Sequence, residues 1–277
     1  MSFNLKEIIK FIKIEHTIFD LPFAYMGLIL SGLFSIRTIV IVGLAATLAR
    51  VSGMTMNRIM DLPLDSKNPR TKGRALVTGK ITIEEAKIIL VISSILFIIS
   101  AFSLNVLAGL LSPIILLLFY LYPITKKIPG VSHYVLGFSI GSILLAGFIA
   151  SRDTFPSSLK FYCFMIFISL WIAGFDVLYQ YQDYLFDSGV GIKSLPVLFD
   201  GRITLPLLVN YLISLIFLFL FSFNNYLLIV ASTIVSIIII IEIFTWKNFD
   251  SDSQFKFFNI PVPFILLVFL ILDLIIK

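Results

Sequence analysis

The sequence predicts an all-α integral membrane protein, built as a bundle of nine transmembrane helices. Two observations lead to this fold class. First, 59% of the 277 residues are hydrophobic and only 13% are charged, whereas a soluble chain carries roughly 25% charged residues. Second, the apolar residues fall into stretches close to the ~20 residues that a helix needs to cross a bilayer. This composition excludes a water-soluble globule, and its abundance of Phe, Ile and Leu excludes a disordered chain.

Nine stretches have the length and composition of transmembrane helices. Their lengths favour helices over the roughly ten-residue alternating strands of an outer-membrane barrel. In chain order they cover residues 17–33, 38–56, 86–104, 106–122, 131–150, 159–179, 205–223, 226–246 and 260–276. Ahead of them, residues 1–16 place Lys and Glu among Leu, Ile and Phe in an amphipathic pattern. This pattern predicts an interfacial helix.

The distribution of basic residues predicts the orientation of the bundle. Cytoplasmic loops of membrane proteins are enriched in Lys and Arg. With the N-terminus in the cytoplasm, most of the 21 lysines and arginines fall on that side. Two long polar loops, 57–85 and 180–204, then share the cytoplasmic face, because four spans separate them. We expect a multi-pass protein of the cell membrane, in which the net charge of +5 reflects topology and anionic lipid rather than nucleic-acid binding.

Each long loop contains a pair of aspartates four residues apart. Asp61 and Asp65 lie near the start of the first loop, and Asp183 and Asp187 near the start of the second. If the preceding helices continue, the two carboxylates of a pair share one face, roughly 5–6 Å apart. Pro63 leaves open the alternative that the first helix stops early. Clustered carboxylates repel one another unless a cation is bound, so the pairs predict a Mg²⁺ site.

Basic residues beside the acidic pairs predict that the metal shares its site with a diphosphate. Arg70, Lys72 and Arg74 follow the first pair, and Lys193 follows the second. Mg²⁺ commonly binds one or two carboxylates and completes its shell with phosphate oxygens. In a membrane, the expected ligand is a polyprenyl diphosphate with a charged head and an apolar tail. Loss of its diphosphate leaves an allylic cation, which aromatic rings stabilise and water would quench.

Two ionisable residues within the spans are further candidates. Arg50 lies in the second span, where a charge is costly and usually faces a cavity. We expect it to bind the carboxylate or phosphate of an acceptor, and a structural pair with an aspartate is the alternative. Asp176 lies about two turns before Asp183. It is a candidate catalytic residue, because packing does not explain an acid at that position.

The motifs around both pairs resemble those of the UbiA superfamily of intramembrane aromatic prenyltransferases. The resemblance covers most of the chain. The segments that carry it are Asn57 to Asp65 with Asn68-Pro69-Arg70-Thr71, Gly73 to Gly79, Tyr122-Pro123 with Lys126-Lys127, and Asp176 with Tyr179, Asp183, Asp187 and Gly191 to Ser194.

The resemblance implies nine helices around a central cavity that cytoplasmic aspartate-rich loops cap. It also implies that Asp61, Asp65, Asp183 and Asp187 bind Mg²⁺ and the diphosphate and promote its departure. The predicted substrate-binding residues are Asn57, Arg50, Arg70, Lys72, Arg74, Lys126, Lys127, Tyr179 and Lys193.

The predicted function is Mg²⁺-dependent transfer of a polyprenyl group to a small aromatic acceptor, such as 4-hydroxybenzoate, in lipoquinone synthesis. Lys127 lies where the resembling hydroxybenzoate enzymes carry Arg, and Lys and Arg are not equivalent toward a carboxylate. Prenyl transfer to a glycerol phosphate, as in archaeal ether-lipid synthesis, is therefore an alternative. A cation-coupled transporter is a third hypothesis, and the clustering of ionisable residues at one face rather than at mid-membrane argues against it.

Overall fold

The computed structural model describes residues 5–277, apart from the side chains of residues 5–6 and 14–16. Its regular secondary structure over this range is helical throughout. The helices are α1 Leu5–Ile12, α2 Ile14–Ser31, α3 Ile36–Asp65, α4 Ile83–Leu104, α5 Val106–Thr125, α6 Val131–Arg152, α7 Leu159–Tyr181, α8 Tyr184–Val190, α9 Leu195–Leu198, α10 Thr204–Ser222, α11 Tyr226–Thr245, α12 Ser251–Gln254 and α13 Pro261–Ile276. A 3₁₀ turn, Trp246–Asn248, extends α11, and a π-helical turn, Phe255–Asn259, joins α12 to α13. Residues 1–4 of the predicted interfacial helix lie outside the described residues.

Eight of the described helical segments are long and apolar enough to cross a membrane. They are Ile36–Asp65, Ile83–Leu104, Val106–Thr125, Val131–Arg152, Leu159–Tyr181, Thr204–Ser222, Tyr226–Asn248 and Ser251–Ile276. A further apolar helix, Thr17–Ser31 within α2, is shorter. The prediction of a multi-pass, all-α membrane protein is therefore confirmed, and the ninth crossing stays a prediction that depends on α2.

Helix α7 lies at the centre of the bundle. Of the 18-residue apolar window of α7, 72% is buried, against 17% for α5.

Helix α2 packs closely against α6. Between these two helices the backbones approach each other at two glycines. A Cβ atom on Gly27 would lie 2.1 Å from the carbonyl oxygen of Leu144, and one on Gly147 would lie 2.1 Å from that of Ala24. Small residues at helix contacts are typical of membrane bundles, so α2 packs as a member of the bundle despite its length.

Side-chain caps determine where several helices begin. Ser35, Asn105 and Asn225 precede α3, α5 and α11, and each accepts a hydrogen bond from the backbone N–H three residues later. Thr82 and Glu85 form a capping box at the start of α4. Such caps satisfy N–H groups that the first turn of a helix leaves free. The capping box therefore ends the first long loop at Thr82.

The first long loop is shorter than the predicted range 57–85. Helix α3 continues to Asp65 with Pro63 inside its last turn, so the alternative of an early stop is wrong. Proline removes only its own N–H, and the hydrogen bond from Ser66 to the carbonyl of Leu62 closes the turn. The irregular part of the loop is therefore limited to residues 66–82.

The second long loop is partly helical. The condition that α7 continues through both aspartates is not met, since α7 ends at Tyr181 and Asp183 lies at the N-cap of a separate helix, α8. At Asp183 the backbone N–H donates to the carbonyl of Gln180, three residues back rather than four, at 2.9 Å, and the side chain is held by Asn68 and Arg70 of the first loop. The N–H of Asp187 still donates to the carbonyl of Asp183 at 2.7 Å. The two aspartates therefore remain one turn apart.

Candidate functional site

The first acidic pair occupies the last two turns of α3. Asp61 and Asp65 are both buried. Directly after α5, Lys126 donates a hydrogen bond through Nζ to Oδ2 of Asp61. Arg74 Nη1 lies 2.6 Å from Oδ1 and 2.5 Å from Oδ2 of Asp65. Each carboxylate of this pair is thus balanced by a cation from another segment.

The second acidic pair contacts residues of the first loop directly. Asp183 accepts hydrogen bonds from Nε of Arg70 and from Nδ2 of Asn68, both at 2.8 Å. Arg70 Nη2 donates to the other oxygen of Asp183. Asp187 is buried and accepts from Nε2 of Gln180 at 3.1 Å. The expectation that the two loops meet is therefore confirmed by direct side-chain contacts.

The two aspartates of the second pair differ in acidity. Burial raises the pKa of Asp187 to about 6, and the charge of Asp183 adds to this effect. Burial also acts to raise the pKa of Asp183, but hydrogen bonds from Arg70 and Asn68 outweigh it and lower the pKa below its usual value. For Arg70, burial opposes the charged form, yet its bond to Asp183 raises the pKa above the ordinary arginine value. Asp183 therefore favours the ionised form that pairs with Arg70, whereas Asp187 keeps its proton to a higher pH.

A polar and an apolar cavity adjoin beneath the acidic pairs. The polar cavity has a volume of about 140 Å³ and is lined by all four aspartates. The apolar cavity, of about 420 Å³, is enclosed mainly by α2 to α7. Five residues line both: Asn57, Arg74, Tyr122, Asp176 and Tyr179. Together the cavities fit a ligand with a charged head and an apolar tail.

Tyr179 lies at the boundary between the cavities. Its ring centre is 5.5 Å from Cζ of Arg70 and 5.6 Å from Nζ of Lys13. Lys13 also donates to the Tyr179 hydroxyl at 3.4 Å. Cations are attracted to aromatic faces, so Tyr179 holds two basic groups beside the acidic pairs. Sequence reasoning missed Lys13, because its position depends on how α1 packs against the first loop.

Arg50 lines the apolar cavity and pairs with an aspartate. Its Nη1 lies 3.0 Å from Oδ2 of Asp20, a residue that is only 2% exposed. Nε of Arg50 is buried and has no hydrogen-bond partner among the described residues. The two predicted roles of Arg50 are therefore compatible, since the ion pair leaves a donor available. Asp20 was missed because a carboxylate on a neighbouring helix leaves no signal in sequence spacing.

Three predicted substrate-binding residues lie outside the site. The side chains of Lys72, Lys127 and Lys193 are exposed and line neither cavity. Lys193 contributes its backbone instead, since its N–H donates to the carbonyl of Lys126 at 3.1 Å and its carbonyl accepts from Gly130 at 2.8 Å. Closeness in sequence to an acidic pair did not determine where these flexible side chains point. The predicted residues that line a cavity are Asn57, Arg50, Arg70, Arg74, Lys126, Tyr179, Asp176 and the four paired aspartates.

The donor atoms of the polar cavity suit a hard divalent cation. Among the described side chains, no three of Asp, Glu, His or Cys form a group placed to hold a metal ion, and Asp61, Asp65 and Asp183 each pair with a Lys or Arg. Beside the carboxylates, the polar cavity is also lined by Asn57, whose amide oxygen Oδ1 is buried without a hydrogen-bond partner among the described residues. Oxygen ligands are those that Mg²⁺ prefers. The residues present therefore fit Mg²⁺.

The chain is similar to known proteins in sequence and in fold. The profile described as the UbiA prenyltransferase family matches residues 21–270. The 4-hydroxybenzoate octaprenyltransferase of Francisella tularensis subsp. mediasiatica is 28% identical over 199 residues, which cover 70% of this chain and 69% of that relative. The apo structure of a UbiA homolog from Aeropyrum pernix K1 has a TM-score of 0.84 and 30% identity, and the match covers 94% of this chain and 98% of that one. A UbiA homolog from Archaeoglobus fulgidus bound to GPP and Mg²⁺ has a TM-score of 0.76 and 20% identity, with 95% and 96% covered.

Proposed function

Because the chain belongs to the UbiA prenyltransferase family, we propose that it transfers a polyprenyl group from a polyprenyl diphosphate to a small aromatic acceptor, such as 4-hydroxybenzoate, in lipoquinone synthesis. The observation that carries this proposal is the junction of a carboxylate-lined polar cavity with a larger apolar one. A relative that prenylates hydroxybenzoate by name supports the aromatic acceptor.

The four paired aspartates are the proposed Mg²⁺ ligands. Asp61, Asp65, Asp183 and Asp187 would hold the metal, and the free amide oxygen of Asn57 would add a further donor. When bound, Mg²⁺ neutralises charge on the diphosphate and so makes it a better leaving group. The neighbour that carries Mg²⁺ together with GPP supports a requirement for Mg²⁺.

Three basic residues are proposed to bind the diphosphate. Arg70, Arg74 and Lys126 line the polar cavity, where they pair with aspartates. A guanidinium group matches phosphate oxygens in a planar fork, and Lys supplies a compact charge. With Mg²⁺ bound to the aspartates, Arg70, Arg74 and Lys126 would turn from them to the diphosphate. Each buried charge then keeps a partner with and without substrate, which avoids the cost of an unpaired charge.

The lining of the apolar cavity suits the prenyl tail and the reactive carbon. Tyr122 and Tyr179 lie where the two cavities adjoin, beside the site of the diphosphate. Their rings offer negative faces to the allylic cation that forms as the C–O bond breaks. Phe119 and Phe175 line the apolar part, where they would exclude water that could capture the cation.

Arg50 is the proposed binding residue for the acceptor's carboxylate. It lies in the wall of the apolar cavity with Nε unpartnered, so it can donate to a carboxylate while the aromatic ring occupies apolar space. The exposed Lys127 is not suited to this role. A charge-assisted hydrogen bond of this kind is worth roughly 1.5–3 kcal/mol. It would favour an aromatic acid over a ring without a carboxylate.

We also propose nine crossings, with both long loops in the cytoplasm of a cell-membrane protein. Helix α2 is the candidate ninth span because of its close backbone packing against α6. The excess of Lys and Arg on the side of the long loops supports the orientation. Labelling of single cysteines placed at Lys72 and at Phe155 with a membrane-impermeant reagent tests it. Labelling of Phe155→Cys but not Lys72→Cys in intact cells is expected, and the reverse would contradict it.

Turnover by the purified protein tests the proposed reaction. The protein is incubated in detergent with geranyl diphosphate, 4-hydroxybenzoate and Mg²⁺, and prenylated product is quantified by mass spectrometry. Product is expected with Mg²⁺ and should be lost with EDTA. Glycerol phosphate in place of 4-hydroxybenzoate is the matched arm. Product with glycerol phosphate alone would reject the aromatic acceptor, and no product in either arm would reject prenyl transfer to these acceptors.

A further inference from the structure

Asp176 differs from the other carboxylates of the site in its partner. It lines both cavities, and its Oδ2 lies 2.7 Å from Nδ1 of His133, a fully buried imidazole. Its Oδ1 has no hydrogen-bond donor in the described part of the chain. The cavity-lining carboxylates that pair instead with Arg or Lys are Asp20, Asp61, Asp65 and Asp183.

The surrounding backbone fixes which nitrogen of His133 carries the proton. The N–H of Leu195 donates to Nε2 of His133 at 3.1 Å. A backbone N–H can only donate, so Nε2 accepts and carries no proton. The proton of the neutral imidazole is therefore on Nδ1, which donates to Asp176. His133 thus presents Asp176 with a neutral donor rather than a positive charge.

His133 also connects Asp176 to the second long loop. Its acceptor bond is to Leu195, at the start of α9, just after Lys193. Lys193 is fixed by two backbone hydrogen bonds, to Lys126 at 3.1 Å and from Gly130 at 2.8 Å. Lys126 in turn pairs with Asp61. The orientation of the Asp176 carboxylate is therefore tied to the same loop that brings Asp187 to the polar cavity.

We propose that Asp176 is the base that takes the proton released from the acceptor ring, and that His133 is the positioning residue that orients it. The inference rests on the proposed function. A neighbouring positive charge favours the ionised form of a carboxylate and so weakens it as a base. Their ion pairs therefore make four carboxylates weaker bases than Asp176, namely Asp20, Asp61, Asp65 and Asp183. Asp187 lines only the polar cavity, which leaves Asp176 at the place where the diphosphate end meets the apolar space.

The step is balanced in atoms and electrons. The C–O bond of the prenyl diphosphate breaks, and its electron pair leaves on the diphosphate. A ring carbon next to the acceptor's hydroxyl forms the new C–C bond to the prenyl carbon. The C–H bond at that ring carbon then breaks, its electron pair restores the aromatic ring, and the proton moves to Oδ1 of Asp176. Because Asp176 also lines the polar cavity, the proton can pass from there to water.

Kinetics with a deuterated acceptor test this assignment. Turnover of geranyl diphosphate is measured with 4-hydroxybenzoate that carries hydrogen or deuterium at the two carbons next to the hydroxyl. The variants are His133→Leu, His133→Gln, Asp176→Asn and, as matched control in the same turn, Ser132→Ala. A glutamine amide can accept from Leu195 and donate to Asp176, whereas leucine can do neither. Stabilisation by geranyl diphosphate with Mg²⁺ in thermal unfolding shows whether each variant folds and binds the donor.

The expected pattern separates a base from a structural residue. Asp176→Asn should lower kcat by about 10²–10⁴-fold, as expected for loss of a general base. His133→Leu should lower it by about 10²-fold through misorientation. Both should show an isotope effect larger than that of the wild-type protein and should keep stabilisation by the donor. His133→Gln and Ser132→Ala should behave like the wild-type protein.

Two other patterns would overturn the proposal. Unchanged kcat and isotope effect in His133→Leu and Asp176→Asn would remove both residues from the proton transfer and leave the proposed function intact. A lowered kcat with an unchanged isotope effect, together with loss of donor binding, would assign them a structural role. Absence of turnover by the wild-type protein would instead reject the proposed function, and this inference with it.

Discussion

The two acidic pairs bring carboxylates to one cavity by different backbone arrangements. Asp61 and Asp65 belong to one continuous helix, whereas Asp183 and Asp187 flank the first turn of a separate short helix. Both carboxylates of the first pair form an ion pair with a Lys or Arg, whereas the carboxylate of Asp187 hydrogen-bonds only with the amide of Gln180 among the described residues. The first pair is therefore charge-balanced before any metal binds. The second pair contains the carboxylate that gains most from a bound cation.

This difference assigns distinct tasks to the two loops. The first loop supplies Arg70 and Arg74, which balance one aspartate on each side of the cavity. The second loop supplies Asp187 and, through His133, is connected to Asp176. We expect the first loop to contribute mainly to binding of the diphosphate. The second should contribute mainly to metal affinity and to the chemical step.

The largest effect is expected from Asp183, where the two loops contact each other. Asp183→Asn should lower kcat with geranyl diphosphate and 4-hydroxybenzoate by about 10²–10³-fold. The substitution removes one of the carboxylates that would hold Mg²⁺ beside the departing diphosphate. Asp200→Asn, an exposed acid of the same loop, is the matched control and should leave kcat unchanged. Equal activity of the two variants would remove Asp183 from the site.

A smaller effect is expected from Arg70 of the first loop. Arg70→Lys should raise the KM for geranyl diphosphate by about tenfold, since a lysine cannot reproduce the two-pronged contact that Arg70 makes with Asp183. The exposed Lys72→Met, measured in the same assay, should change the KM little. A larger effect of Lys72→Met than of Arg70→Lys would show that the diphosphate binds outside the polar cavity.

The pH dependence of Mg²⁺ affinity sharpens the contrast between the pairs. The pKa of Asp187 is raised from 3.8 to about 6, so between these values the folded protein holds a proton that the unfolded chain releases. This group therefore lowers the stability of the metal-free protein as the pH rises from about 4 to 6. Mg²⁺ must displace the same proton, so its apparent affinity should fall about tenfold from pH 7 to pH 5.

Mg²⁺ titrations followed by thermal unfolding measure this dependence. In Asp187→Asn the affinity should be weaker at both pH values, and the fall between them should disappear. The control Asp200→Asn should retain it. A fall of the same size in Asp187→Asn would show that another group is responsible.

The smallest effect is expected where the first loop ends. Thr82→Ala removes the capping box of α4 and should cost about 1 kcal/mol of stability. Asn225→Ala removes a comparable cap on α11, which belongs to neither loop, and should cost a similar amount of stability. Thr82→Ala alone should also raise the KM for geranyl diphosphate, because it loosens the loop that carries Arg70 and Arg74. Equal KM values in the two variants would show that the cap of α4 does not affect donor binding.

Local signals predicted much of this architecture. Apolar stretches near 20 residues identified the eight spans, and the parity of crossings predicted that the loops meet. The four-residue spacing predicted that Asp61 and Asp65 share a helix face. Pro63 raised the alternative of an earlier helix end, but a proline in a last turn costs little when the following hydrogen bonds persist.

The contacts that hold the buried carboxylates could not be predicted from the sequence. Lys126 with Asp61 and His133 with Asp176 join residues from different helices, and no local pattern indicates such pairs. The contact of Arg70 with Asp183, beside the break before α8, is also a long-range one. Lys72, a neighbour of Arg70 in sequence, is the opposite case, a predicted binding residue that lies outside the site. Its charge predicted a role, but its side chain points away from both cavities.

A structure with Mg²⁺ and a non-hydrolysable geranyl thiolodiphosphate tests whether both acidic pairs hold one metal and one diphosphate. We expect metal between the pair Asp61 and Asp65 and the pair Asp183 and Asp187, with Arg70, Arg74 and Lys126 turned from their aspartates to the diphosphate. The geranyl chain should extend past Tyr179 into the apolar cavity. A diphosphate bound away from either pair, or metal held by one pair alone with the other still paired to its cations, would contradict it.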